Sequence, residues 1–365
     1  MNKVGHETGL KSEGTREGHG VLQRYRDLLP VNESTPMISL GEGDTPLVRS
    51  VRLEKEIGCE ALYFKLESCN PSGSFKDRGM VLAVAKAMEQ GNRAILCAST
   101  GNTSSSAAAY AAHAALDSFV IVPHGRIAEG KLAQTVAHGA HVIAIEGSFD
   151  DALRLAREID ERHPIALVNS VNPHRIEGQK TAAFEIVDAL GDAPDVLCLP
   201  VGNAGNITAY WMGYREYCEA GSIEAKPKMI GVQAAGAAPI VLGRPVPNPD
   251  TLATAIRIGN PASWQAAVAA RDESGGAIDA VTDEEILEAY RTVATTEGIF
   301  AEPASAAAVA GLTKMHAANR LAAPSVIVCT LTGHGLKDPS VAMEACPGPK
   351  ATPAELNAVR KALDL

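Results

Sequence analysis

Two kinds of apolar pattern alternate along most of this chain of 365 residues. Short continuous runs read as buried strands: Ala61 to Leu66, Ala94 to Ala98, Phe119 to Val122, His141 to Ile145 and Ile165 to Val168. Between them stand segments with helical spacing. Thr103 to Ala115 is almost all Ala and Ser, Ala128 to His138 follows, and Phe149 to Arg162 sets Ala152, Leu153, Ala156 and Ile159 on one face. A second round has Gly178 to Leu190, Ile207 to Cys218, Asp283 to Glu297 and Ala304 to Ala317 as helices. Its strands are Val196 to Pro200, Met229 to Gln233 and Val326 to Leu331. Ahead of these, Gly20 to Leu29 looks briefly helical, and Ile38 to Leu47 reads as a short strand and a turn. Ala237 to Asn260, rich in Pro and Gly, reads as irregular.

A strand–helix–strand rhythm of this kind predicts parallel pairing with right-handed crossovers. The expected fold is α/β in two lobes, each a mainly parallel twisted sheet flanked by helices, with a cleft between them. Residues 1–19 are expected to be a flexible tail. Residues 55–170 form the smaller N-terminal domain, and 20–54 plus 171–365 the larger one.

Composition sharpens the picture. Hydrophobic residues make up 46% but aromatics only 4%, which suits sheets covered by closely packed Ala-rich helices. A net charge of −10 argues against nucleic acid or an anionic membrane surface as partner. There is no run of 18 apolar residues to span a bilayer. The seven cysteines are scattered without metal-type spacing, and no metal is expected. Cys97, Cys198 and Cys329, in apolar runs, read as buried thiols of a cytoplasmic protein.

Candidate chemistry begins at Asn70-Pro-Ser-Gly-Ser-Phe75-Lys76-Asp-Arg-Gly. Ser74 and Asp77 have capping-box spacing, so a helix should start there with Lys76 in its first turn. A cation at a helix N-terminus is disfavoured by the macrodipole. Together with partial burial beside Phe75, that lowers the amine's pKa and keeps it nucleophilic. Such a lysine suits a Schiff base with an aldehyde such as pyridoxal phosphate; the plainer reading is a solvated lysine near a cap.

Three further segments each follow a strand. Ser99-Thr100-Gly101-Asn102-Thr103 offers hydroxyls and helix-start N–H groups to an anion such as a carboxylate. Gly202-Asn203-Ala204-Gly205-Asn206 is too short for the dinucleotide fingerprint. Its small residues suit a phosphate that carries no nucleotide. Thr332 in Thr330-Leu-Thr-Gly-His334-Gly presents a hydroxyl between close-approach residues; His334 is assigned no chemistry.

These four segments occur in the order seen in pyridoxal-phosphate enzymes of the tryptophan-synthase-β type. The chain most resembles the threonine synthase family among them. Arg24-Tyr-Arg-Asp-Leu-Leu-Pro30, Gly41-Glu-Gly-Asp-Thr-Pro46 and Asn169-Ser170-Val-Asn-Pro-His-Arg175 add to the likeness. The resemblance implies pyridoxal 5'-phosphate on Lys76, packed beside Phe75, with its phosphate in the 202–206 loop. Asn102 would bond the ring's 3′-oxygen and Thr332 the pyridine nitrogen. The implied substrate is O-phospho-L-homoserine, converted with water to L-threonine and phosphate. Ser99, Thr100, Asn102 and Thr103 would hold it, with Arg175, Asn169, Ser170 and Asn203 around its phosphate. Relatives imply a homodimer. The alternative is a threonine or serine dehydratase of the same fold, which needs no second phosphate pocket.

Overall fold

The computed structural model describes residues 20–124, 129–321, 325–345, 348 and 351–365. Ten strands occur among them: β1 Leu47–Arg49, β2 Ala61–Leu66, β3 Ala94–Ala98, β4 Asp117–Pro123, β5 His141–Ile145, β6 Ile165–Leu167, β7 Val196–Pro200, β8 Lys228–Ala234, β9 Ala277–Val281 and β10 Val326–Leu331. They build a six-stranded sheet in the order β1-β2-β10-β7-β8-β9 and a four-stranded sheet in the order β5-β4-β3-β6. All pairs are parallel except β1 with β2 at the edge. This is the two-sheet α/β architecture that the apolar runs predict.

The buried strands are apolar along their length, as sheets covered on both faces require. Every residue of β3 and β7 is buried. Small side chains let the covering helices lie close. In the helix Asn102–His113, Ala107, Ala108 and Ala111 are buried, and on Phe149–Arg162, Ala152 and Ala156 pack with Leu96, Ala98, Ile121 and Leu167. The helix Pro303–Ala317 is buried from Pro303 to Leu312, in the core that also holds Cys198, Val232, Ile327 and Leu331.

Several expectations change. Residues 38–44 form no strand, because Gly41, Gly43 and Asp44 take positive φ and turn the chain. Glu42, buried within that turn, accepts hydrogen bonds from the Val21 and Leu40 N–H groups and from the Tyr110 hydroxyl. The helix expected from Gly178 to Leu190 is two helices, Pro173–Gln179 and Thr181–Leu190. At the join the Thr181 hydroxyl donates to the Gly178 carbonyl at 2.7 Å, the local bond by which Thr competes with the helix ladder. β9 and the helix Trp264–Glu273 escape the periodicity, since Asp279 interrupts the one and the apolar stripe of the other is narrow. β2 lies within the span 55–170 assigned to the smaller lobe, yet it pairs in register with β10 of the six-stranded sheet. Residues 1–19, expected to be a flexible tail, lie outside the described residues, as does Cys346. No described helix is long and apolar enough to cross a membrane.

Candidate active site

Three of the four motif segments leave the carboxyl edges of three adjacent parallel strands. Leu66 of β2 pairs with Leu331 of β10, and Cys329 of β10 pairs with Cys198 of β7. The lysine segment, Thr332 and the 202–206 loop therefore emerge side by side, where open α/β sheets bind ligands. In the other sheet, β3 and β6 are neighbours, so Ser99–Thr103 and Asn169–Ser170 leave a common edge.

Main-chain bonds lace the lysine segment to the threonine turn. The Phe75 N–H donates to the Thr332 carbonyl at 3.0 Å, and the His334 N–H to the Gly73 carbonyl at 3.0 Å. Lys76 is the first residue of the helix Lys76–Glu89, as predicted, and its Nζ lies 4.1 Å from the centre of the Phe75 ring. Its side chain is partly accessible, yet the amine is pulled down to about 7. Burial is the largest cause, the Arg175 guanidinium adds to it, and Glu302 opposes both.

The capping box is not made. The Ser74 hydroxyl has no partner among the described residues, and Phe75 occupies the cap position. Asp77 instead accepts from the Ser72 N–H at 2.6 Å and from the hydroxyls of Ser72, 2.5 Å, and Ser106, 2.6 Å. The proline turn at Pro71 brings Ser72 closer to the carboxylate than Ser74. Next along the helix, Arg78 is fully buried and paired with Glu67 at 2.7 Å and Glu185 at 2.6 Å. Glu185 also pairs with Lys65 at 2.8 Å. Two cations and two anions thus neutralise one another and pin the lysine helix to β2 and to Thr181–Leu190. A buried pair is costly to desolvate but far costlier to leave half broken.

Asn102 opens its helix, and its Nδ2 donates to both carboxylate oxygens of Glu302, 3.1 Å each. Around it, the Ser99 hydroxyl accepts from the Gly101 N–H at 3.2 Å, and Thr100 and Thr103 are half-buried. The Thr332 hydroxyl is buried, 2.9 Å from that of Ser305. In the small-residue loop, Ala204 takes φ +64° and the helix Gly205–Glu219 starts at once. A Cβ on Gly202 would lie 2.9 Å from the Ile256 Cα, so the bare backbone is needed there. Asn203 donates from Nδ2 to the Ser170 hydroxyl and accepts from the Ala262 N–H at 2.7 Å. Asn206 Nδ2 is buried with no partner among the described residues.

Arg175 is no surface arginine. It is buried, with Nη1 donating to the Val168 carbonyl at 2.8 Å. Nε and Nη2 have no partner among the described residues. Burial lowers it to about 10. Its backbone lies against Gly79, one turn beyond Lys76. Asn169 spends its amide on Ala98, whose N–H it accepts at 2.8 Å and whose carbonyl it donates to at 2.9 Å. That leaves Asn169 joining β3 to the Ser170 turn. His334 accepts from the Leu336 N–H and packs edge-on to Phe300.

Three residues near Lys76 carry no signal in the sequence. Glu302 and Ser305 stand in an ordinary-looking helix start. Lys337, four residues past Gly333, donates from Nζ to Ser105 at 2.9 Å and to Gln134 at 2.5 Å, both in the smaller lobe. The only local hint is Pro303 at the first helical position after a glutamate.

The arrangement fits pyridoxal phosphate. A low-pKa amine stands ready for the aldehyde. Helix-start N–H groups with no side-chain cap and the unpaired Nδ2 of Asn206 suit a phosphate, and the buried Thr332 follows the strand between the two segments.

A model of the pyridoxal-phosphate dependent enzyme family matches residues 38–333. The chain is 60% identical to a threonine synthase of Halalkalibacterium halodurans, covering 89% of this chain and 91% of that one. It is 58% identical to that of Mycobacterium tuberculosis, over 95% of this chain and 96% of the other. For the threonine synthase of Methanocaldococcus jannaschii the identity is 49%, over 97% and 90%. Among solved structures, maize serine racemase superposes with a TM-score of 0.69 at 19% identity, covering 82% of this chain and 91% of that one. A threonine deaminase from Solanum lycopersicum gives 0.71 at 22%, covering 82% of each. At such identity these two likenesses show the fold alone.

Proposed function

This chain belongs to the threonine synthase family of pyridoxal-phosphate-dependent enzymes, and we propose the site roles by which it turns O-phospho-L-homoserine and water into L-threonine and phosphate. The observation that carries the proposal is Lys76, a lysine near neutrality laced to Thr332 at the strand edge it shares with the 202–206 loop. Bound there, the cofactor supplies an electron sink for the carbanion formed at the substrate Cα.

The chain's own residues do the rest. Lys76, free as an amine near neutral pH, takes and returns protons at the substrate carbons it faces. The 202–206 loop, with the helix start at Gly205 and the amide of Asn206, holds the cofactor phosphate by its N–H groups. Asn102 donates to the ring oxygen. Thr332, kept in place by Ser305, meets the pyridine nitrogen with a neutral group, so no carboxylate holds a proton on that nitrogen. Phe75 packs beside the amine.

Ser99, Thr100 and Thr103 surround the place where a substrate carboxylate would meet the start of Asn102–His113. Arg175, with two unspent guanidinium donors, supplies the positive charge for the substrate's phosphate. Ser170 and Asn203, hydrogen-bonded to each other, would line the same phosphate, and Asn169 holds that turn in place. This second anion site separates the reading from a dehydratase of the same fold. A homodimer in the cytoplasm completes the proposal; the six described cysteines, all free thiols, support a reducing compartment.

The test is Lys76→Ala. The cofactor's visible band and phosphate release from O-phospho-L-homoserine should both vanish while the circular dichroism spectrum is kept. Full turnover in that variant would reject the assignment. Formation of a 2-oxo acid from threonine, with no phosphate release, would favour the dehydratase.

A further inference from the structure

The helix Pro303–Ala317 begins at the carboxylate that faces Asn102. Glu302 occupies the cap position, yet its side chain makes no capping bond and turns instead toward the smaller lobe. It is buried and firmly held. Its own N–H donates to the Gly333 carbonyl at 2.9 Å, and a Cβ on Gly333 would lie 2.4 Å from Glu302 Oε1, so the carboxylate rests on a surface only glycine leaves free. One turn later Ser305 bonds the Thr332 hydroxyl and the Gly333 N–H, each at 2.9 Å. A single helix start therefore supports two of the groups aimed at the cofactor ring.

The geometry at Asn102 is selective. A carboxylate only accepts, so it chooses the NH₂ end of an amide whose two ends are nearly equal in shape. The nitrogen lies 3.1 Å from both carboxylate oxygens, which is one N–H shared between them. The second N–H is left unspent. Were the amide turned over, its oxygen would oppose a cofactor oxygen that also carries negative charge.

We propose that Glu302 is a positioning residue, fixing the Asn102 amide so that its remaining N–H points at the ring oxygen of the cofactor. The proposal rests on the assignment of Asn102 to that oxygen. Burial raises the Glu302 carboxyl above the usual carboxylate range, with Asp338 adding a little, while the Asn102 hydrogen bond, Lys337 and Lys76 pull the other way, toward the charged form. Asn102 belongs to the smaller lobe and Glu302 to the larger, so the pair also sets how the lobes meet over the cofactor.

The test is binding of pyridoxal phosphate, and of its 3-deoxy analogue lacking the ring oxygen, to cofactor-free protein. Wild type, Asn102→Ala, Glu302→Gln, the double variant and Glu302→Asp are compared by fluorescence titration. A hydrogen bond to a charged oxygen should make the wild-type preference for the natural cofactor about tenfold or more above that of Asn102→Ala. Glu302→Gln should fall to the Asn102→Ala level, and the two changes together should cost no more than about threefold beyond either alone. A Glu302→Gln protein that keeps the wild-type preference while Asn102→Ala loses it would overturn the inference. Equal weakening of both ligands would also overturn it, because that marks a merely structural glutamate. Should Glu302→Gln fail to fold by circular dichroism, Glu302→Asp decides, its carboxylate being too short to reach Asn102. If wild type and Asn102→Ala show the same preference, the role of Asn102 falls, and this inference with it.

Discussion

Substituting Gly79 by alanine should separate the lysine helix from the helix that carries Arg175. An added Cβ would lie 2.3 Å from the Arg175 carbonyl oxygen and 2.9 Å from both its Cα and its Nε. Two of those atoms are backbone and cannot swing aside. Gly178 makes the reciprocal approach, its Cβ falling 2.1 Å from the Arg78 carbonyl, so the two helices touch at main chain on both sides. Restoring an ordinary contact means opening the pair by about 1 Å. Alanine in a helix interior gains about 1 kcal/mol over glycine. Overpacking costs about 1–3 kcal/mol, and a contact this close to backbone lies at the upper end, so a net loss of about 2 kcal/mol is expected. Because Arg175 moves with the contact, a displacement of that size should also lower kcat/KM for the phosphorylated substrate by about a hundredfold. Urea unfolding of the holoenzyme followed by circular dichroism reads the first effect, and phosphate release the second. A Gly79→Ala enzyme at least as stable as the parent, with kcat/KM within twofold, would refute the idea that this helix contact sets the site.

Other consequences follow from the charges. The neutral amine is the nucleophile and Lys76 is pulled down to about 7, so cofactor uptake by cofactor-free protein should rise tenfold per pH unit below about 7 and level off above it. A stopped-flow profile still climbing toward pH 10, where an ordinary lysine titrates, would contradict the burial of this amine. Arg175→Met should raise KM for the phosphorylated substrate more than it lowers kcat. The same change removes a cation that depresses Lys76, so the midpoint of cofactor uptake should move to higher pH. Glu185→Ala leaves two buried cations, Arg78 and Lys65, facing Glu67 alone, with one positive charge uncompensated, and should cost about 3–5 kcal/mol in chemical denaturation. Burial pushes the Glu185 carboxyl up, but Arg78 and Lys65 together outweigh it and hold the group well below the usual carboxylate range in the folded protein. Its contribution is therefore full above the ordinary glutamate pKa and lost as pH falls through the folded value. Equal acid sensitivity in parent and Glu185→Ala would show that this carboxylate does not carry that stability.

Local pattern was enough for much of the molecule. Apolar runs placed β2, β3, β7 and β10 to the residue, because a strand covered on both faces is apolar at nearly every position and is bounded by polar turns; β5, largely exposed, was placed by its apolar run alone. Short motifs directly after strands placed the lysine at a helix start and the small-residue loop before a helix, since both depend on neighbours in the chain. Where a residue's partner is remote, the local pattern misled. Ser74 and Asp77 had the spacing of a capping box, but Asp77 is taken by Ser72 and, across 29 positions, by Ser106.

What the sequence by itself determined is the strand–helix rhythm of most of the chain, a lysine at a helix start and a small-residue turn between a strand and a helix. Each is encoded in a few contiguous residues whose conformational preferences act over one or two helical turns. Only the tertiary structure decided that β2 joins the larger sheet, that Arg175 is buried against Gly79, and that Glu302 meets Asn102. Those facts depend on pairs up to 265 positions apart, Ala61 with Val326, or 200 apart, Asn102 with Glu302. Burial and charge compensation act through space, and no window of sequence contains both partners.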